Sequence, residues 1–193
     1  MMVMPSNNTG GVTHYLAGRF PDRIGLLMSP DGWRNPPWYM PYALDNGAFT
    51  GFDAGAFDKH LHRAEFVHKP LWVAVPDRVG DAETTNKMWH EWKDKIPYNK
   101  AFVVQDGHEP QDVPKDAYAV FVGGSTEFKL GEGHKFKGCA EWLHIGRVNT
   151  YKRLIWADEI GADSVDGTGF FRGPDMTGQL IRYLEGKQRC LVF

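Results

Sequence analysis

Only two of the 193 residues are cysteine, Cys139 and Cys190, and no CxxC spacing occurs. That disfavours a disulfide framework, rules out a cysteine-rich zinc site, and fits a reducing compartment. Charge of one sign is also missing: 22 Lys and Arg stand against 24 Asp and Glu, a formal net charge of −2. A nucleic-acid partner would have to be held by a local patch, because the field of the whole chain does not favour it. No apolar run approaches membrane-spanning length, and the start "MMVMPSNNTGG" is too short and too uncharged for a signal peptide. A soluble cytoplasmic protein without a membrane partner is the expectation. P-loop, GxGxxG, HExxH and GxSxG motifs are absent too, which removes several common chemistries.

What is present is a rhythm of short apolar runs, each ending in Gly, Pro, Asn or Asp. Strands are expected at 2–4, 24–28, 39–44, 71–75, 101–105, 118–122, 142–146 and 162–166. Several are apolar throughout, as in parallel strands buried on both faces. Helical segments lie between them. The stretch after Asp53 places Phe57, Leu61, Ala64 and Phe66 to Val67 on one face. Another opens at Asp81 and stops at Pro97, a third runs from Asn149 or Thr150 to Gly161, and a fourth carries Pro174 early and ends at Gly186. No helix is expected between the second and third strands. The alternation predicts one α/β domain over 1–193, a compact (β/α)8 TIM-type barrel, with an open doubly wound sheet as the alternative.

In a parallel barrel the residues just past each strand share one mouth. Here they include Asp45, Asp77, Gln105, Gly123, Gly124, Arg147 and Asp166. Any one of them has a plainer reading, since Asp-Asn-Gly and Gln-Asp-Gly are good turn sequences. Their convergence points to a site. The stretch "IGADSVDGTGFF" (160–171) sets Asp163 and Asp166 three apart on one strand, hence on opposite faces. Asp163 is expected to be structural, paired with an arginine, and Asp166 to face the mouth.

The ordered series "ALDNGAF" (43–49), "VAVPD" (73–77), "FVVQDG" (102–107), "VFVGGS" (120–125) and "GADSVDGTG" (161–169) resembles the motifs of the tRNA-guanine transglycosylase superfamily. "LHIGRVNTYKRLIWADEIGADSVDGT" most resembles its DNA-directed branch, the phage and bacterial deazapurine DNA modification (DpdA) proteins. The resemblance covers about Tyr42 to Arg172. It implies exchange of guanine for a 7-deazaguanine in intact nucleic acid, through a covalent glycosyl ester. Asp166 would be the nucleophile and Asp45 the proton shuttle on the base nitrogen. Asp77, Gln105, Gly123 and Gly124 would read the base, with both glycines donating backbone N–H, and Phe49 would cover its ring. No metal or organic cofactor is implied; the partners are DNA, in preference to tRNA, and a free 7-deazaguanine base.

The tRNA enzymes carry a Cys/Cys/Cys/His zinc insertion, which two cysteines cannot build, and this favours DNA. A homodimer or an accessory protein would then supply the remaining grip. For the nucleic-acid backbone the best basic groups are Arg147, Lys129, Lys135, Lys137, Lys152 and Arg153, interleaved with Phe128 and Phe136. His144, inside an apolar run, reads as a satisfied core histidine. Two other readings stay open: a (β/α)8 glycoside hydrolase with Asp45 and Asp166 as its acid pair, and a non-catalytic nucleic-acid-binding barrel.

Overall fold

Each of the eight apolar runs becomes a strand in the computed structural model, which describes residues 1–189. The strands are β1 (Met2–Met4), β2 (Leu26–Met28), β3 (Tyr42–Leu44), β4 (Val73–Ala74), β5 (Lys100–Val104), β6 (Ala119–Val122), β7 (Trp142–Ile145) and β8 (Ser164–Asp166). All pairings are parallel, and β1 lies beside β8. The seam between β1 and β2 is closed by bridges at Val3–Ile24 and Ser6–Leu27. The result is the (β/α)8 barrel, and the open sheet is excluded.

Among the described residues six α-helices wrap it: α1 (Gly11–Arg19), α2 (Ala54–Ala64), α3 (Ala82–Trp92), α4 (Thr126–Glu132), α5 (Tyr151–Glu159) and α6 (Pro174–Arg189). Asp53 caps α2 by accepting from Ala56 N at 2.9 Å, and Asp81 caps α3 from Thr84 N at 2.9 Å. Thr150 caps α5, and Gly161 ends it at φ +78°. Between β2 and β3 the chain forms only a short 3-10 turn at Pro30–Gly32. Three sequence expectations need correction. Helix α2 stops at Ala64, so Phe66 falls outside it and is 75% exposed. Helix α6 continues through Gly186. Helices α1 and α4 occupy stretches with no expected helix.

Strand alternation sorts the side chains into two cores. Outward residues such as Tyr42, Val73, Phe102, Val120, Leu143 and Val165 pack under the helices. Inward residues Met2, Met4, Leu27, Ala43, Trp72, Ala74, Ala101, Val103 and Ala119 fill the barrel. Four inward alanines on β3 to β6 leave the volume that the fully buried Trp72 indole occupies. Replacing that ring by alanine leaves a hole that strands cannot collapse into. Trp72→Ala is expected to cost about 3–5 kcal/mol, read as a lower urea midpoint. Of the two cysteines, Cys190 lies outside the described residues, and Cys139 is a half-buried free thiol. Among the described residues no helix is long and apolar enough to cross a membrane.

Candidate active site

The same alternation that fills the barrel decides what reaches its C-terminal mouth. Following the inward parity of β1, β3, β5, β6, β7 and β8 one step onward gives Ser6, Asp45, Gln105, Gly123, Gly146 and Asp166, and all six line one cavity of about 260 Å³. Asp77, Phe49, Gly124 and Arg147 complete the walls. The sequence thus brings together every proposed catalytic and base-binding residue. Gly123 and Gly146, on neighbouring strands, have no room for a side chain. A Cβ on Gly123 would sit 2.8 Å from Gln105 Nε2, and one on Gly146 2.5 Å from the Phe121 ring.

Three carboxylates share this low-dielectric mouth, and two of them, Asp45 and Asp77, are held toward their neutral forms. Burial, then the nearby Asp166 and Asp77 charges, push Asp45 up to about 7, against weak donation from Gly47 and Asn46. Burial also pushes Asp77 up to about 6, although two amides support its charged form. Those amides are Asn46 Nδ2, donating to Oδ1 at 2.8 Å, and Gln105 Nε2, donating to Oδ2 at 2.7 Å. Arg78, the next residue and a plain ion-pair candidate for Asp77, makes no salt bridge to it among the described residues. The Arg78 backbone N–H instead donates to Thr85 Oγ1. Gln105 is itself fixed, because its Oε1 accepts from Gly80 N at 3.0 Å. It offers a ligand one remaining N–H, not a free amide edge.

Asp166 is held on one side only. Arg147 N donates to its Oδ1 at 3.0 Å, and His144 Nε2 lies 3.1 Å from the same oxygen. Oδ2 has no protein partner among the described residues. Arg147 adopts the left-handed region, φ +59°, at a cost of order 1 kcal/mol for a non-glycine residue. Its side chain donates to Gly124 O and sets its guanidinium 4.9 Å from the Phe49 ring centroid. Because β3 and β7 stand on opposite sides of an eight-stranded barrel, this contact spans the mouth. Phe49 is 68% exposed there, with one ring face taken by Arg147.

Other expected roles change. Gly123 N–H is spent on Val104 O at 3.0 Å within the barrel ladder, so it cannot donate to a ligand. Lys129 is buried, with Nζ 3.3 Å from Gly124 O, and burial beside Arg147 and Arg153 pushes it down to about 8. It supports the wall and is not part of a phosphate face. Phe128 and Phe136 are buried against each other. Lys135 pairs with Glu132. Lys137 reaches Asp163 at 3.4 Å, at the N-terminal end of the barrel, far from the mouth. Asp163 is structural as expected, but its partners are Lys137 and Leu143 N rather than an arginine. The basic set near the mouth reduces to Arg147, Lys152 and Arg153, the last two in the first turn of α5.

Two residues at the site carry more than their sequence reading gave them. Asn46 holds Asp77, and its carbonyl accepts from Ala48 N at 2.8 Å, shaping the turn. His144 is fully buried, as a core histidine should be, yet it touches the candidate nucleophile. Its inward parity with Trp142 was the available signal. Among the described residues no group of three or more His, Cys, Asp or Glu is placed to hold a metal ion.

No protein-family model matches the chain, and no curated protein matches it. Solved structures do. One is a protein of the dihydrodipicolinate synthase family from Coccidioides immitis, with TM-score 0.59 and 12% identity over 92% of this chain. The chain spans 65% of that protein's length. Another is a ligand-free mutant tryptophan synthase from M. tuberculosis, with TM-score 0.51, 12% identity, 88% of this chain and 83% of that one. At such identity the likeness defines the class of fold, the TIM barrel.

Proposed function

We propose that the protein is a transglycosylase that exchanges guanine for a 7-deazaguanine base in DNA, through a covalent ester on Asp166. The observation that carries the reading is the division of labour among three carboxylates around one base-sized cavity. Asp166 presents a free Oδ2, Asp45 titrates near neutrality, and Asp77 is clamped between two amides. A glycoside hydrolase needs the first two alone; the clamped third suits a planar ring with adjacent N–H donors.

The chemistry balances on these residues. Asp166 Oδ2 attacks C1′ as the C1′–N9 bond breaks, and the bonding pair leaves with guanine. The carboxylic acid of Asp45 supplies the proton guanine takes up. The incoming 7-deazaguanine returns one proton to the Asp45 carboxylate, its N9 attacks C1′, and Asp166 departs as an anion. An acid that titrates near 7 is poised for both transfers. Asp77, with the remaining Gln105 N–H and Gly124 N–H, would meet the base edge. Arg147, Lys152 and Arg153 would meet phosphates. The target base must leave the stack to enter so narrow a mouth.

The test is nucleoside mass spectrometry of DNA, and separately of tRNA, after incubation of purified protein with 7-cyano-7-deazaguanine. Deazaguanosine in DNA supports the reading, and deazaguanosine in tRNA alone would move the substrate. Asp77→Asn separates exchange from sugar hydrolysis. Losing one buried edge contact is expected to cost exchange about 10²-fold or more. A hydrolase acting on sugars would lose little.

A further inference from the structure

We propose that His144 is the positioning residue of the site: a neutral imidazole, locked with its proton on Nε2, that selects which oxygen of Asp166 attacks. This deepens the base-exchange reading and rests on it for Asp166 as nucleophile.

Three inward side chains on two adjacent strands form the lock. In the register of β7 and β8, His144 lies beside Ser164. The Trp142 indole donates from Nε1 to Ser164 Oγ at 2.7 Å. His144 Nδ1 is 2.7 Å from the same Oγ, and its Nε2 is 3.1 Å from Asp166 Oδ1. Counting protons favours one direction. An indole N–H can only donate, so Ser164 accepts from it and keeps one hydroxyl proton to give. The acceptor within reach is Nδ1. Nδ1 is therefore bare, Nε2 carries the proton, and Nε2–H donates to Asp166. The opposite tautomer would strand the Ser164 proton and set a bare ring nitrogen against a carboxylate. The ring cannot turn to escape, because Trp72 and Phe121 stand edge-on to it at 4.9 and 4.5 Å between centroids, and it is fully buried.

With His144 Nε2–H and Arg147 N–H both on Oδ1, attack falls to Oδ2. In the ester that forms, Oδ1 becomes the carbonyl oxygen and keeps both donors. When the second base arrives and the C1′–Oδ2 bond breaks, the same two N–H groups stabilise the returning negative charge. Ser164 and Trp142 act one step further out, fixing the tautomer as second partners commonly do for an active-site histidine.

The experiment has an arm that needs no activity. In uniformly ¹⁵N-labelled full-length protein, two-bond proton–nitrogen spectra at pH 7 report the tautomer of each histidine, with His144 assigned by its loss in His144→Gln. The expected result is an Nε2–H tautomer that turns into a mixture in Ser164→Ala. A wild-type ring carrying its proton on Nδ1, or on both nitrogens, would overturn the lock even if exchange is robust. In the exchange assay, His144→Phe is expected to lower kcat about 10²–10³-fold with KM little changed. His144→Gln, whose amide N–H can reach where Nε2–H stood, is expected to recover at least about tenfold of that loss. Gln no better than Phe, with both variants folded by circular dichroism, would sink the positioning role. If the wild type exchanges no base at all, the base-exchange reading fails, and the tautomer spectra still decide the hydrogen-bond network.

Discussion

Asp166→Asn is expected to abolish base exchange, with kcat lower by about 10⁴-fold or more, as loss of a covalent nucleophile typically is. The fold should survive. Asparagine can present its carbonyl oxygen to His144 Nε2–H and Arg147 N–H, the two donors now on Oδ1. What it cannot do is attack C1′ from the other position, because an amide nitrogen is a poor nucleophile. Thermal unfolding should therefore move little while deazaguanosine formation disappears. Wild-type protein trapped with DNA but without incoming base should show a mass adduct that the variant lacks. Exchange by the asparagine variant at a tenth of the wild-type rate would remove Asp166 from the chemistry.

Asp45→Asn should separate activity from stability in opposite directions. Without a proton carrier, exchange is expected to fall about 10²–10⁴-fold. The wild-type profile should centre near pH 7, where acid and base forms of Asp45 coexist, and any residual rate in the variant should lose that dependence. Stability follows the other sign. The group ionises at 3.8 in an ordinary environment and near 7 in the folded protein. Between those values the unfolded chain releases a proton that the folded state keeps, so folding loses stability as pH rises through that window. Asparagine removes the penalty. At pH 8 the variant should gain roughly 1–3 kcal/mol, about 2–12 °C in melting temperature for a chain of this size. The gain should vanish below pH 4. A variant less stable than wild type at pH 8 would mean that Asp45 is not held against its own charge.

The barrel was legible because several of its strands are apolar on both faces, and turn residues close each of the eight runs. Turn residues then located the mouth. Two helices were hidden for different reasons. Gly10 gives α1 no side-chain cap, and α4 has seven residues inside a stretch that composition marks as basic. The basic stretch also misled on function, because counting cations does not say which way each side chain turns. Lys129 turns inward to Gly124 O and Lys137 reaches Asp163 at the other end. Gly123 shows a further limit: a residue past the end of a strand can still spend its N–H on the ladder, and only the register reveals this. His144 was correctly read as buried. Its contact with Asp166 needed the parity rule that set Asp163 apart, applied to two strands at once.

The strand that carries Asp166 pairs with the first strand of the chain, Met2 with Ser164 and Met4 with Asp166. The residues of β1 therefore wait for β8, the strand furthest from them in sequence, before their hydrogen bonds are met. Such distant pairing slows folding, since loop closure must precede the contacts that reward it. It also means that a partly synthesised chain holds Asp45 and Asp77 without the carboxylate that would attack. The candidate site and the closed barrel come into being in the same event.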